Sequence, residues 1–442
     1  MSIYSKDINI LDDLNINLTI TKNKYNLDLE NIFSLAARKN PKRAFLFVSK
    51  LLGKHLPINP NIGICIGYLL ANEITNEHCL MDVRNELIKN IQGKKSNSTF
   101  YEYLELNKLS LSEKTLFIGF AETATGLGHS IFNSFSKNAY YIHTTREKLL
   151  DIKPSFEFQE EHSHATSHLF YLLDNDIMND IKRIVLIDDE ITTGKTNLNI
   201  IKELYKKYKI KNFTCVSILD WRNKKNLKEY DNLMKELNIK INVISLISGQ
   251  VECNNHKIDE NNYLIENSLL DTNNILEYNE NKIYSKNRYF SLKNNEDNKN
   301  FLISTGRFGL DINDNTNLIN DIYNKVKLLN LEVNKNTLIM GFGEFIYIPM
   351  VMAYKLNKDC LFSSPSLSPI YTIDTNNYPL KNVDIIECPY DINNNYHIYN
   401  LNNSIENVIL FLERRPSKSF ISNFKKIIKN RGIKKLDLIY FY

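Results

Sequence analysis

The stretch Arg183–Thr196, RIVLIDDEITTGKT, constrains the fold of this chain more than any other. Ile184, Val185, Leu186 and Ile187 form an apolar run with the length and β-branched character of a buried parallel strand. Asp188 and Asp189 fall where that strand ends. Thr192, Thr193, Gly194, Lys195 and Thr196 open the next element, a helix over Asn197–Tyr208. Open α/β sheets bind ligands beyond the carboxyl ends of their strands, so the acidic pair and the hydroxyl-rich loop face one crevice. Backbone N–H groups at a helix start, with hydroxyls beside them, hold a phosphate. Two adjacent carboxylates suit a diol, or a Mg2+ ion beside one. A ligand with a phosphate a short distance from a diol is a phosphorylated ribose.

Other readings of the same string fare worse. A Walker A loop needs glycine where Asp189 stands, so an ordinary P-loop is excluded. Response-regulator receivers carry acidic pairs at strand ends, but nothing in them calls for TTGKT downstream. A strand with a polar turn can be mere scaffold; the length of the motif argues against it.

Composition sets the outer bounds. With 442 residues the chain has room for two or three domains, each with its own core. Hydrophobic residues at 43% and charged ones at 24% are ordinary for a soluble globular protein. The net charge is only +4, with 55 basic residues facing 51 acidic ones, too even for a nucleic-acid binder. Lys206, Lys207, Lys209 and Lys211 read as the solvated face of an amphipathic helix and its exit. The six cysteines are scattered without a CxxC pair, which suits a reducing cytoplasm and argues against structural zinc. The N-terminus lacks a signal pattern, and the longest apolar run, near Ile62–Ala71, is too short to span a bilayer. A cytoplasmic protein is expected.

Along the chain, apolar runs alternate with helical patterns. Thr115–Gly119, Tyr140–His143, Ile184–Ile187, Thr214–Leu219 and Ile241–Leu246 read as strands, which predicts a parallel α/β sheet with flanking helices. Residues 251–300 are asparagine-rich and poor in aliphatic clusters, and read as a polar linker or meander. The second half echoes the first. LFIGFAE at Leu116–Glu122 resembles LIMGFGE at Leu338–Glu344, and VLIDDEITTGKT resembles ILFLERRPSKSF at Ile409–Phe420, at nearly one spacing. The copy is chemically eroded: Leu412 and Glu413 replace the aspartate pair, and Pro416 and Lys418 replace a threonine and the glycine of the loop.

Three further strings carry chemistry. Ile118–Ser130, IGFAETATGLGHS, orders a strand, a tight turn and a helix start; Thr123, Thr125, Gly126 and Gly128 offer backbone access and hydroxyls suited to pyrophosphate. Ile142–Glu147, IHTTRE, ends another strand and presents Arg146 as a planar donor for phosphate oxygens. Phe156–His168, FEFQEEHSHATSH, joins His162, His164 and His168 to His129 and His143. His164 and His168 have the i, i+4 spacing of zinc helices, but spacing fixes no third ligand. Downstream, SILDWR ends the strand after the phosphate-loop helix. Its Trp221 can stack on a planar substrate, with Asp220 and Arg222 setting hydrogen bonds, or it can cap a core beside an ion pair.

The segment around Asp188 resembles the PRPP-binding motif of type I phosphoribosyltransferases (PRPP is 5-phosphoribosyl 1-pyrophosphate). That resemblance implies that Asp188 and Asp189 bind the ribose hydroxyls near a substrate-bound Mg2+, while Thr192–Thr196 binds the 5-phosphate. It assigns Glu122, Thr123, Ala124, Thr125 and Arg146 to pyrophosphate, and Asp220, Trp221 and Arg222 to the acceptor. It also makes 156–168 a mobile loop over PRPP, with Glu160, Glu161, His162 and His164 available for acid–base work and Glu161 and His162 as the catalytic candidates. Enzymes specific for 6-oxopurines place an aspartate where Thr192 stands, so hypoxanthine and guanine are not expected as substrates. Together with RKNPKRAFLFVSKLLGKH at Arg38–His55, TGRFG at Thr305–Gly309 and GFGEFIYIP at Gly341–Pro349, these strings resemble one branch. Its members are phosphoribosyltransferase-like proteins encoded with bacterial tellurite-resistance (Ter) stress clusters. They carry a C-terminal domain named for a Thr-Arg-Ser-Pro motif, where this chain reads Ser366, Leu367, Ser368 and Pro369. The expected organisation is an N-terminal extension over 1–29, a transferase-like domain over 30–250, a linker over 251–300 and a degenerate α/β domain of similar build over 301–442. The resemblance implies Mg2+-dependent transfer from PRPP to a small-molecule acceptor, giving a ribosylated stress-response metabolite, without nucleic-acid or membrane partners. A non-catalytic PRPP sensor and a PRPP synthetase-like enzyme stay as alternatives, and a homodimer stays open.

Overall fold

A computed structural model describes residues 3–11, 14–38, 43–75, 81–92, 100–149, 152–158, 168–253, 275–285, 288–290, 300–391, 393–402 and 404–442. Its first sheet runs, edge to edge, through Tyr4–Leu11, Leu14–Asn23, Lys240–Cys253, Asn212–Asp220, Arg183–Ile187, Thr115–Gly119, Ala139–His143 and Leu310–Asp311. The five strands from Lys240–Cys253 to Ala139–His143 are parallel. Counted in chain order they stand 2-1-3-4-5, the doubly wound arrangement whose order reverses between Thr115–Gly119 and Arg183–Ile187.

The strands alternate as buried strands must. Leu116, Ile118, Ile184 and Leu186 face a layer that includes Leu198, Ile201 and Leu204 of the helix Lys195–Tyr208. Phe117, Val185 and Ile187 face the other way. The helix ends where Lys209 takes a left-handed conformation (φ 58) and donates its N–H to Tyr205 O.

A second sheet, entirely parallel, runs Glu277–Ile283, Lys435–Phe441, Asn407–Leu412, Thr337–Met340 and Leu361–Ser363. From Leu361–Ser363 to Lys435–Phe441 it repeats the 2-1-3-4 order of the first sheet, so the echo seen in the sequence is a repeated topology. The second sheet likewise faces two layers: Leu338, Met340, Val408 and Leu410 to one side, Ile339, Ile409, Phe411 and Ile439 to the other.

That last set packs in the same core as Phe117, Val185 and Ile187 of the first sheet. Between the sheets lie the helices Pro60–Thr75, Ala124–Asn133 and Tyr347–Leu356, and all ten residues of Ala124–Asn133 are buried. A helix covered on every side is apolar all round, which is why Ile62–Ala71 is the longest apolar run in the chain. The helices approach closely: a Cβ on Gly67 would overlap Ser130 Oγ.

Several boundaries differ from the sequence expectation, each through strand pairing that joins distant segments. The N-terminal extension supplies a hairpin whose second strand pairs antiparallel with Lys240–Cys253. Glu277–Ile283, within the expected linker, is the edge strand of the second sheet, because its backbone completes pairing with Lys435–Phe441. Leu310–Asp311, past the expected boundary, pairs with Tyr140 and Tyr141 of the first sheet. No helix among the described residues is long and apolar enough to cross a membrane.

One shared core predicts one unfolding event. Gly67→Val should lower stability by about 1–3 kcal/mol through overpacking. In urea, the fluorescence of Trp221 (the only tryptophan) and far-ultraviolet dichroism should shift together in both wild type and variant.

Candidate functional site

Gly119 and Ile187 are register partners at the ends of adjacent parallel strands, and Phe120 N donates to Ile187 O at 3.1 Å. From that shared edge one chain segment turns into Glu122–Thr125 and the other into Asp188–Thr196. The strand order reverses there, so the two loops wall a single crevice.

Asp188 N donates to Val216 O at 3.0 Å, and Asp188 Oδ1 accepts from Asp189 N at 2.9 Å. Asp189 O accepts from Ile218 N and Leu219 N. Burial raises the Asp189 carboxyl above its ordinary range, with Glu190 adding to the rise while Asp188 and Lys54 oppose it. Glu190 is held by both nitrogens of the Arg43 fork, at 2.7 and 3.2 Å, and that guanidinium lies over the ring of Phe45.

The helix Lys195–Tyr208 starts at Gly194, whose φ of 74 is the left-handed region and whose missing side chain leaves it without a side-chain cap. A Cβ there would overlap the Tyr230 hydroxyl, which donates to Gly194 O at 3.1 Å. Tyr230 in turn lies under the guanidinium of Arg222, 4.3 Å from its ring centre. Arg222 grips Asp220 through Nε at 2.8 Å and Nη2 at 2.7 Å. Asp220 and Arg222 thus brace the Gly194 turn from the next strand. Trp221 is buried, its indole stacked on Phe47 at 4.9 Å, its backbone N–H donating to Ile191 O and its indole Nε1 without a hydrogen-bond partner among the described residues.

Across the crevice, Ala121 N donates to Thr144 Oγ1 at 2.9 Å, and the Thr125 hydroxyl is turned inward onto Glu122 O at 2.9 Å. Glu122 is paired with Lys54, a side chain 3% exposed. Burial raises the Glu122 carboxyl, and Lys54 counters that rise. Arg146 follows Thr145, its Nη2 3.4 Å from His168 Nε2.

The second half closes this side. Arg307 Nη1 donates to Thr145 Oγ1 at 2.6 Å and to Glu344 Oε2 at 2.5 Å, and its Nη2 donates to Glu413 Oε2 at 2.9 Å. Glu344 Oε1 accepts from Thr145 Oγ1 and from Arg146 N. Burial works against the charge on Arg307, and Glu413, Glu344 and Glu147 more than offset it. A cavity of about 410 Å³ lies between the halves, with Glu122 and Arg146 on one wall and Glu413, Arg414 and Tyr396 on the other. In the second half the equivalent helix, Lys418–Asn430, is capped by Ser417, whose Oγ accepts from Phe420 N at 3.1 Å. A cap that already takes this donor is a poorer anion seat than the helix start at Gly194.

The structure therefore brings Asp188, Asp189, Thr192–Thr196 and Glu122–Thr125 to one crevice, with Arg146 beside the Glu122–Thr125 turn. Glu160, Glu161, His162 and His164 lie outside the described residues; Phe156–Phe158 and His168–Phe170 form the hairpin that flanks them. His129 and His143 are core groups, both pushed down to about 3 by burial; His129 bonds Asn315 and His143 bonds Thr144 O. His168 bonds Thr144 Oγ1 and stacks on Phe158. Sequence reasoning assigned no role to Lys54, Arg43, Arg307, Glu344 or Glu413. Lys54, Arg307 and Glu344 lie in the strings GKH, TGRFG and GFGEF, and Arg43 and Glu413 in PKRAF and LERRP, none of which says anything about pairing.

The phosphoribosyl transferase family matches residues 32–250, and the TRSP domain, found C-terminal to that transferase, matches residues 304–429. The chain carries this transferase domain followed by a TRSP domain. No curated protein matches it. Among solved structures it is similar to adenine phosphoribosyl transferase from Trypanosoma brucei, solved with AMP, pyrophosphate and ribose-5-phosphate. The identity is 20% and the TM-score 0.22, over 34% of this chain and 62% of that one. The Giardia lamblia enzyme, solved with 9-deazaadenine, is 17% identical with a TM-score of 0.22, over 31% of this chain and 71% of that one. The Leishmania donovani enzyme is 19% identical with a TM-score of 0.21, over 36% and 65%. The chain thus spans less than two thirds of the Trypanosoma and Leishmania structures.

Burial penalises the ionised form of Asp189, so that penalty is complete at neutral pH and disappears as pH falls through its raised value. Asp189→Asn should therefore raise Tm at pH 7, and the gain should vanish near about pH 3, below the ordinary carboxylate range. Calorimetric scans at the two pH values check it; an equal offset at both would contradict the assignment.

Proposed function

We propose that this protein transfers a 5-phosphoribosyl group from PRPP to a small-molecule acceptor. The observation that carries the reading is the crevice at the strand-order reversal. It sets a carboxylate pair and a helix start without a side-chain cap against a second turn on the neighbouring strand. Asp188 and Asp189 hold the ribose hydroxyls and offset positive charge that develops on the sugar as pyrophosphate departs. Thr192–Thr196 seats the 5-phosphate on backbone N–H groups and hydroxyls. Arg146 and the backbone of Glu122–Thr125 take the pyrophosphate. Glu161 and His162 supply acid–base chemistry, and the Asp220–Arg222 segment borders the acceptor.

Hard carboxylate oxygens beside substrate phosphates suit Mg2+, which Asp188 and Asp189 would help to hold. When bound, the ion draws negative charge from the leaving group. Catalysis is otherwise positioning: fixed donors meet the substrate at both ends, so the anomeric carbon is presented without reorganising the protein. The capped helix and the Leu412–Glu413 pair of the second half support one donor site per chain. By the branch resemblance, the product is a ribosylated metabolite of a tellurite or stress response.

The test is pyrophosphate release from PRPP and Mg2+ with a metabolite extract, with products identified by mass spectrometry. The Asp188→Asn/Asp189→Asn variant should lower PRPP affinity by about 100-fold or more and abolish release. Hypoxanthine and guanine should give no product with the wild type. Unchanged PRPP affinity by titration calorimetry would sink the assignment, and tight PRPP binding without turnover would mark a sensor instead.

A further inference from the structure

Lys54 is a buried cation beside the crevice, and its place is fixed from a distance. Gly53 adopts φ +68, and its carbonyl accepts from Ser364 N at 2.7 Å. Ile58 and Phe362 exchange backbone hydrogen bonds at 2.8 and 2.9 Å. The segment 53–58 is thereby fastened to Leu361–Ser363, the edge strand of the second sheet. From that anchor Lys54 reaches Glu122, at the mouth of the pyrophosphate turn, and lies within electrostatic reach of Asp189 across the crevice.

The charges around it ask for such a group. Glu122, Asp188, Asp189 and Glu190 gather four carboxylates where a polyanionic donor is proposed to sit, and Glu190 is already neutralised by Arg43. Lys54 pairs with the carboxylate of the pyrophosphate turn, and its charge is felt at Asp189 of the ribose pair. A buried lysine does not surrender its partner to water, because an uncompensated buried charge is costly. It can exchange one anion for another.

Resting on the donor-site reading above, we propose that Lys54 binds the pyrophosphate of the donor, and that the Glu122 carboxylate holds its place until the donor arrives. On binding, the ammonium passes from a carboxylate oxygen to a pyrophosphate oxygen, and the Glu122 carboxyl, already raised by burial, takes up a proton rather than stay an uncompensated buried charge. In the transfer itself the bond between the anomeric carbon and oxygen breaks, its electron pair leaves with pyrophosphate, and an acceptor lone pair forms the new bond. Lys54 keeps its proton throughout and offsets the charge gathering on the leaving oxygen. The second half thus contributes to chemistry in the first through the strand that anchors this loop.

Titration calorimetry with PRPP, pyrophosphate and ribose 5-phosphate, each with Mg2+, tests the exchange. Glu122→Gln removes the competing carboxylate and should tighten pyrophosphate binding. Lys54→Met combined with Glu122→Gln leaves no unpaired charge, so the fold is kept. That double variant should bind pyrophosphate and PRPP about 10–100-fold more weakly than Glu122→Gln, and ribose 5-phosphate within about two-fold of it. If both variants bind pyrophosphate like the wild type, Lys54–Glu122 is a structural pair and the proposal falls. If wild-type protein binds neither PRPP nor ribose 5-phosphate, the donor-site reading falls first, and this one with it.

Discussion

Everything in this molecule depends on the burial of one layer of helices between two sheets. Pro60–Thr75, Ala124–Asn133 and Tyr347–Leu356 come from distant parts of the chain, and each is buried on nearly every side. A helix with that surface has no stable place at a protein–water boundary, and it needs two covers. The sheets supply them. Phe117 and Val185 from one, and Ile339 and Ile409 from the other, meet in a single apolar cluster. Two folds that share an architecture have in this way become halves of one object.

Polar contacts follow from that constraint. Once the shared layer fixes the sheets, the carboxyl ends of both strand sets meet at one cavity, and buried charges must be compensated there. Arg307 answers Glu344 and Glu413 together, Arg414 answers Glu147, and Lys54 answers Glu122. The Thr145–Arg146 backbone is drawn into the same network through Glu344. The segment proposed to grip the leaving group therefore takes its shape from the C-terminal half.

What could be seen in the sequence was local. The strands Thr115–Gly119 and Arg183–Ile187, the turn after each, and the Asp188–Thr196 string are written in consecutive residues, where apolar period and turn chemistry speak directly. The repeated topology was visible too, because whole strand–turn–helix units recur. Long-range pairing was not. Nothing near Glu277–Ile283 marks it as an edge strand, since its pattern of exposed polar residues is that of a surface segment and its partner lies at Lys435–Phe441. Lys54 looks like any lysine after a glycine, and Arg307 like any arginine in a loop. Their meaning comes from partners 68 and 37 residues away. Trp221 admitted two readings for the same reason, as Phe47 lies far off in the chain.

The common helical layer also settles how a substrate can enter. Many two-domain proteins open by swinging one half away from the other about a linker. Here such a swing would expose the inner faces of three apolar helices, a far larger penalty than any ligand of this size repays. Access to the crevice must instead leave both sheets and the helical layer in place. The two halves form a fixed vice.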